Sequence, residues 1–259
     1  MTDVFEHVIG QEKVKRKLNF FLTSYSKTGV SPHILLVAPK GTGKTMVAKA
    51  YAKGLIPRGS DKHKKGILIN CSTLKNIRDF MDRYAETLDQ EEATFIFDES
   101  SEIPHDISMA LLTILNPNTK KSNKFTYNEI EYNVDFRRIT FIFATTEPQH
   151  MFHALIDRLE RVELEDYTNK DLARIFDINL NGIHCEESLL LDIASNLRGN
   201  ARDAMKMSLK IADYVSDKIE LTQEDWEEVK YLLDILPHGL LPEEMKLLKI
   251  LRDEGALKL

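Results

Sequence analysis

The stretch Leu35-Leu36-Val37-Ala38-Pro39-Lys40-Gly41-Thr42-Gly43-Lys44-Thr45 constrains this chain more than any other. An apolar strand-like run enters a glycine-rich turn ending in Gly-Lys-Thr, and a helical segment, Met46 to Ala50, follows. Strand, turn and helix in that order make a cradle for phosphate. Backbone N–H groups of the turn must converge on the β- and γ-phosphates, so Gly41 and Gly43, on either side of Thr42, keep obstructing side chains away. Lys44 reaches the β/γ oxygens, and the Thr45 hydroxyl suits Mg²⁺. The helix brings the positive end of its dipole to the same place. Ala38 stands where such loops usually carry a first glycine, which is tolerable if that position does not need positive φ. The segment implies binding of a nucleoside triphosphate.

Such a turn needs a parallel sheet to sit on, and the flanking sequence predicts one. Apolar runs recur at His33–Val37, Gly66–Asn70, Thr94–Phe97 and Ile139–Phe143. Helical segments around 44–54, 74–88 and 106–115 separate them, and an amphipathic helix at Gln11–Leu22 precedes them. Strands alternating with helices predict a parallel sheet covered on both faces. Past Tyr167 the strand-like runs stop. Helices are predicted over Asn169–Asn179, Glu186–Leu197, Ala201–Val215 and Gln223–Asp234, the last opened by a Thr222/Asp225 cap. The expected fold is α/β, a P-loop parallel-sheet ATPase domain over 1–166 followed by an all-helical lid over 167–238. A helical remainder covers 239–259, with another amphipathic helix from Glu243 to Arg252.

Composition narrows the setting. With 259 residues, 42% of them hydrophobic, the chain supports one large domain and a companion. Cys71 and Cys185 lack metal-ligand partners at short spacing and read as reduced, buried thiols of a cytosolic protein. No signal peptide or long apolar run argues for a membrane. The formal net charge of −6 gives no whole-chain footprint for nucleic acid, so any DNA contact must use a local patch or a ring of subunits.

The chemistry lies downstream of the loop. Phe95-Ile96-Phe97-Asp98-Glu99 is an apolar strand tipped by two carboxylates. Asp98 would orient the Mg²⁺ shell and Glu99 would polarise an attacking water. The strand Ile139–Phe143 runs on into Ala144-Thr145-Thr146, whose adjacent hydroxyls either hold water near the γ-phosphate or simply end a strand well. Arg158, after Asp157, reads as an arginine that reaches a neighbouring subunit's γ-phosphate, or as a surface arginine paired with Asp157 or Glu160. Arg161 competes for that role. Gly199-Asn200-Ala201-Arg202 opens a lid helix, from which Arg202 can clamp nucleotide.

The order Ile9-Gly10-Gln11, phosphate loop, Asp98-Glu99, Ala144-Thr145-Thr146, Asp157-Arg158 and Gly199-Asn200-Ala201-Arg202 resembles that of the AAA+ ATPases, most closely the RuvB family of Holliday-junction branch-migration motors. That family carries V/I-G-Q, G-A-T-T, D-R-F and G-T-P-R at similar spacing, and the resemblance runs from about Val8 to about Leu251. It implies an oligomeric, ring-forming ATPase using ATP and Mg²⁺. It gives Lys44 and Thr45 to phosphate and metal, Asp98 to the metal, Glu99 to water and Thr146 to the first sensor. Arg158 becomes the trans-acting finger, Arg202 the second sensor, and Ile9 a border of the adenine pocket. Tyr167 matches a family tyrosine that lies against the nucleotide, although hinge packing explains a tyrosine there equally well.

The segment Asn116–Phe136, with Phe125, Tyr127, Ile130 and Tyr132 alternating, matches a β-hairpin that docks a RuvA-like partner in that family; two ordinary strands packed on the core are the alternative. Lys120, Lys121 and Lys124 form a basic cluster there, for DNA contact or as a solvated loop. Leu240–Leu251 resembles only the first helix of the family's DNA-holding winged-helix domain, so DNA is expected through a partner or through that module. Clamp-loader ATPases are the second resemblance, and a nucleotide-gated scaffold is a third reading that Glu99 argues against.

Overall fold

The computed structural model describes residues 3–197, 199–240 and 242–254. Parts of the expected 239–259 segment, Leu241 and 255–259, lie outside the described residues. The chain divides into two compact units, residues up to Glu165 and those from Asp166 onward.

The first unit runs α1 (Glu12–Thr28), β1 (Ile34–Val37), α2 (Lys44–Gly54), β2 (Lys65–Asn70), α3 (Ile77–Gln90), β3 (Ala93–Asp98) and α4 (His105–Ile114). The hairpin β4 (Ser122–Tyr127) and β5 (Ile130–Asp135) follows, then β6 (Ile139–Thr145), α5 (His153–Ile156) and β7 (Glu160–Glu163). Five strands form one all-parallel sheet in the order β2-β3-β6-β1-β7. Each central strand is apolar on both faces because both faces are covered. On one face Phe95, Phe97, Phe141 and Phe143 stack together beneath α3 and α4. On the other, Leu36, Ile96 and Ile142 pack with Val47, Ala48 and Tyr51 of α2 and Leu18 of α1. The strand β7 carries no apolar run: only Val162 of Glu160-Arg161-Val162-Glu163 is buried. Charged edge strands escape a search for hydrophobic runs.

The second unit contains α6 (Asn169–Ile178), β8 (His184–Cys185), α7 (Glu187–Ser195), α8 (Ala201–Tyr214), β9 (Glu220–Leu221), α9 (Gln223–Leu232) and α10 (Pro242–Glu254). Fully buried Trp226 centres its core with Leu172, Phe176, Ile193 and Ile211. Its indole N–H donates to Asp192 Oδ2 at 2.9 Å, which removes the cost of burying a lone donor. Capping boxes open α6 at Thr168/Asp171 and α9 at Thr222/Asp225. The two-residue parallel pair β8–β9 was not expected past Tyr167, since two residues are too short to show a period.

Candidate functional site

Strand direction assembles the site. In a parallel sheet all carboxyl ends emerge on one edge, so the turn after β1, Asp98 ending β3 and Thr145 ending β6 share that edge. Gly41 and Gly43 hold φ of 84° and 86°, which only glycine adopts without strain. Ala38 is not among the positive-φ residues, so its methyl group is harmless there. Gly43 is the N-cap of α2 and offers no side chain to its first-turn N–H groups. Those groups and the left-handed glycines suit a polyphosphate. Thr42 is buried, and its Oγ1 donates to Pro39 O at 2.8 Å, bracing the turn. Lys44 Nζ donates to the Ala38 and Pro39 carbonyls at 2.7 and 2.9 Å, so the loop's own backbone holds the ammonium across its mouth.

Opposite the loop, Thr45 Oγ1 donates to Asp98 Oδ2 at 2.8 Å. A hydroxyl and a carboxylate on adjacent elements are the oxygen donors a Mg²⁺–nucleotide needs from protein, phosphates and water completing the shell. Among the described residues no three His, Cys, Asp or Glu side chains converge as a metal site of their own. Glu99 is exposed and left-handed, with φ 56° and ψ 48°. For a non-glycine residue that is strain, the kind found at functional turns. Its N–H donates to Asp98 Oδ1 at 3.2 Å. Beside this edge, fully buried Cys71 has its thiol pKa pushed up by burial first, then by the charges of Asp98, Glu99 and Glu102.

Thr145 is buried and its Oγ1 accepts the Glu147 N–H at 2.9 Å, whereas Thr146 is exposed just beyond the strand. Ile9 is half-buried beside two left-handed residues, Gly10 and Gln11. The Gln11 side chain does what sequence reasoning missed. Its amide donates to Glu165 O at 2.6 Å and accepts from Glu165 N–H at 2.8 Å, clamping the last residue of the first unit.

Arg158 lies two residues before β7, which starts level with Ile34 of β1. It therefore sits at the amino ends of the strands, roughly 10 Å of strand from its own chain's phosphate loop. Its Nη1 donates to Ala154 O, and its Nε is buried with no hydrogen-bond partner. Arg161 instead pairs with Glu163 on β7 at 2.7 Å. In the second unit, Arg202 is exposed in the first turn of α8, its N–H accepted by Asn200 Oδ1 at 2.9 Å. Tyr167 is buried in that unit's core. The hairpin turns at Asn128 and Glu129, both left-handed. Phe125, Tyr127 and Tyr132 are partly buried against the core, while Ile130 points outward and Lys124 pairs with Glu131. Lys120 and Lys121 are exposed.

The profile of the ATPase family associated with various cellular activities (AAA) matches residues 34–167, more than half of the chain. The chain belongs to this AAA ATPase family. The match starts at β1 and takes in the loop, Asp98, Glu99 and Arg158. Among similar proteins, the Holliday junction branch migration complex subunit RuvB of Campylobacter curvus is 27% identical, covering 96% of this chain and 73% of its own length. Its Campylobacter fetus counterpart is 28% identical over 95% of this chain and 71% of itself. A Thermotoga maritima RuvB structure superposes with a TM-score of 0.79 at 23% identity, spanning 98% of this chain and 81% of that one. The AAA ATPase thus shares its fold with RuvB. Among the described residues, no helix is long and apolar enough to cross a membrane.

Proposed function

We propose that this AAA ATPase is a motor subunit of a cytoplasmic homo-oligomeric ring that remodels DNA in the manner of RuvB branch migration. One observation carries the reading: similarity to RuvB extends over about 96% of the chain, well beyond the AAA match that ends at residue 167. In this reading Gly41, Thr42 and Gly43 cradle the ATP phosphates and Lys44 neutralises them. Thr45 and Asp98 hold Mg²⁺, which when bound screens charge developing between the β- and γ-phosphates. Glu99 orients and deprotonates the attacking water, and Thr146 hydrogen-bonds near the γ-phosphate. Arg158 serves the site of an adjacent subunit, in keeping with its distance from its own loop. Ile9 borders the adenine, while Tyr167 and Arg202 keep the nucleotide-contacting roles that the resemblance implies. The hairpin at 116–136 docks a RuvA-like partner through Ile130.

The test is steady-state ATP turnover with no DNA, linear duplex, a primed template and a four-way junction, across protein concentrations that span oligomer formation. Stimulation by the junction that grows with protein concentration supports the proposal. Preference for the primed template moves the protein to the clamp-loader type, and turnover indifferent to every DNA overturns the DNA motor.

A further inference from the structure

Glu99 adopts a left-handed conformation immediately after a strand, and something must hold it there. The ladder between β3 and β6 shows what. Ala93 N–H donates to Arg138 O at 3.1 Å, which sets the phase of the parallel pairing. Alternate residues of β3 bond to β6 in such a ladder, so Ala93, Phe95 and Phe97 are followed by Glu99, whose due acceptor is the carbonyl of Ala144. Glu99 bends out of the sheet, and its N–H goes to Asp98 Oδ1 instead. Ser100 takes its place. Only 2% exposed, it donates from Oγ to Ala144 O at 3.2 Å, with Met151 Sδ 3.3 Å away. A side-chain hydroxyl thus completes the ladder one residue late, and frees Glu99 to leave the sheet without orphaning a buried carbonyl. Downstream, Glu102 N–H donates to Glu99 O at 2.9 Å, closing the short turn. Ala144 lies one residue from Thr145 and two from Thr146, so the same bond ties the carboxylate's turn to the hydroxyl-bearing strand end.

We propose that Ser100 is a positioning residue for ATP hydrolysis, its hydroxyl fixing Glu99 in register with the end of β6 by replacing the missing ladder bond to Ala144. The proposal rests on the reading of Glu99 as the water-activating carboxylate. Ser100 touches neither phosphate nor water, so its loss should change the rate of chemistry and leave nucleotide affinity alone.

The experiment compares Ser100→Ala, Ser100→Thr and Glu99→Gln in ATP turnover, equilibrium binding of a fluorescent ATP analogue and thermal melting. Ser100→Ala is expected to lower kcat about tenfold, as misplacement of a reacting group does, with nucleotide affinity changed by less than about twofold. Ser100→Thr keeps the hydroxyl and should recover most of the rate. If Ser100→Ala does not fold, Ser100→Cys, a weaker donor of similar size, should give a rate between those of Ser100→Thr and Glu99→Gln. Parent-like kcat in Ser100→Ala beside an inactive Glu99→Gln overturns the positioning role and leaves the Glu99 assignment standing. Parent-like turnover in Glu99→Gln overturns that assignment itself. Equal losses of rate, affinity and melting temperature in Ser100→Ala mark a purely structural hydroxyl, and the proposal falls.

Discussion

The hydroxyl of Thr45 and the carboxylate of Asp98 meet at 2.8 Å across 53 residues of sequence. The bond joins the first turn of α2 to the end of β3, and holds both metal-suited oxygens in place before any ligand arrives. Asp98→Asn keeps shape but removes charge. It should reduce Mg²⁺-dependent ATP turnover at least about 100-fold while nucleotide binding without Mg²⁺ persists. Titrating Mg²⁺ against turnover in both proteins checks this.

Arg158 and its own phosphate loop occupy opposite ends of the sheet. On its proposed role in an adjacent subunit's site, Arg158→Ala should abolish turnover, with a loss of about 1,000-fold or more, yet bind ATP normally. Lys44→Ala should fail to bind ATP but still offer an intact Arg158. Mixing these two inactive proteins should restore measurable hydrolysis, because some sites pair a good loop with a good arginine. Arg161→Ala, which breaks only the Glu163 pair, should retain activity.

His33 and Lys64 make the amino end of the sheet sensitive to pH. Burial first, then the charge of Lys64, lowers the His33 pKa to about 3. Its Nδ1 accepts the Phe141 N–H at 3.2 Å, which requires that nitrogen unprotonated. A histidine whose folded pKa lies below its unfolded one confers no loss above about pH 6.5, and destabilises progressively as pH falls toward 3. At about 1.4 kcal/mol per pKa unit, several kcal/mol disappear across that window. Urea unfolding at a series of pH values should show the fall, and His33→Gln should flatten it.

Lys64 is 1% exposed, and its ammonium donates to the Thr140 hydroxyl at 3.2 Å and lies 4.9 Å from the centre of the Tyr25 ring. Burial lowers its pKa to about 8, against the opposing pull of Glu92 and Asp135. The folded protein thus resists protonation. Stability should rise with pH between about 8 and 10.5 and carry a constant penalty of about 3 kcal/mol below that window. Lys64→Met should raise stability at pH 7 by about 1–3 kcal/mol and remove the alkaline rise, measured by the same unfolding series.

Gly239 is pinned against the C-cap of α7: its N–H donates to Asn196 Oδ1 at 3.0 Å, and an added Cβ would meet Asn196 O at 2.1 Å. With φ at +68° as well, Gly239→Ala should destabilise the second unit by about 2 kcal/mol or more. Thermal melting of the variant, and hydrogen exchange in α7 and α10, would register the loss.

Much of this protein can be read from contiguous residues. Gly41, Gly43, Lys44 and Thr45 encode their turn and helix start locally, through glycine's access to positive φ and a helix N-terminus left uncapped. The runs ending at Asp98 and Thr145 are strands because both faces are buried, and Thr222/Asp225 cap a helix over one turn. What only the tertiary structure decided depends on long-range pairing. Parallel strand direction sends Asp98 and Thr146 to the carboxyl ends of the sheet and Arg158 to the amino ends, a separation no spacing along the chain reveals. Burial draws Phe125, Tyr127 and Tyr132 of the hairpin partly onto the core and leaves Ile130 outside, although all four share the same alternation. Ser100 and Gln11 gain their roles from single carbonyls and amides supplied by residues 44 and 154 positions away. Backbone preference is written in neighbours, whereas a hydrogen bond across the fold exists only once the sheet has brought its two ends together.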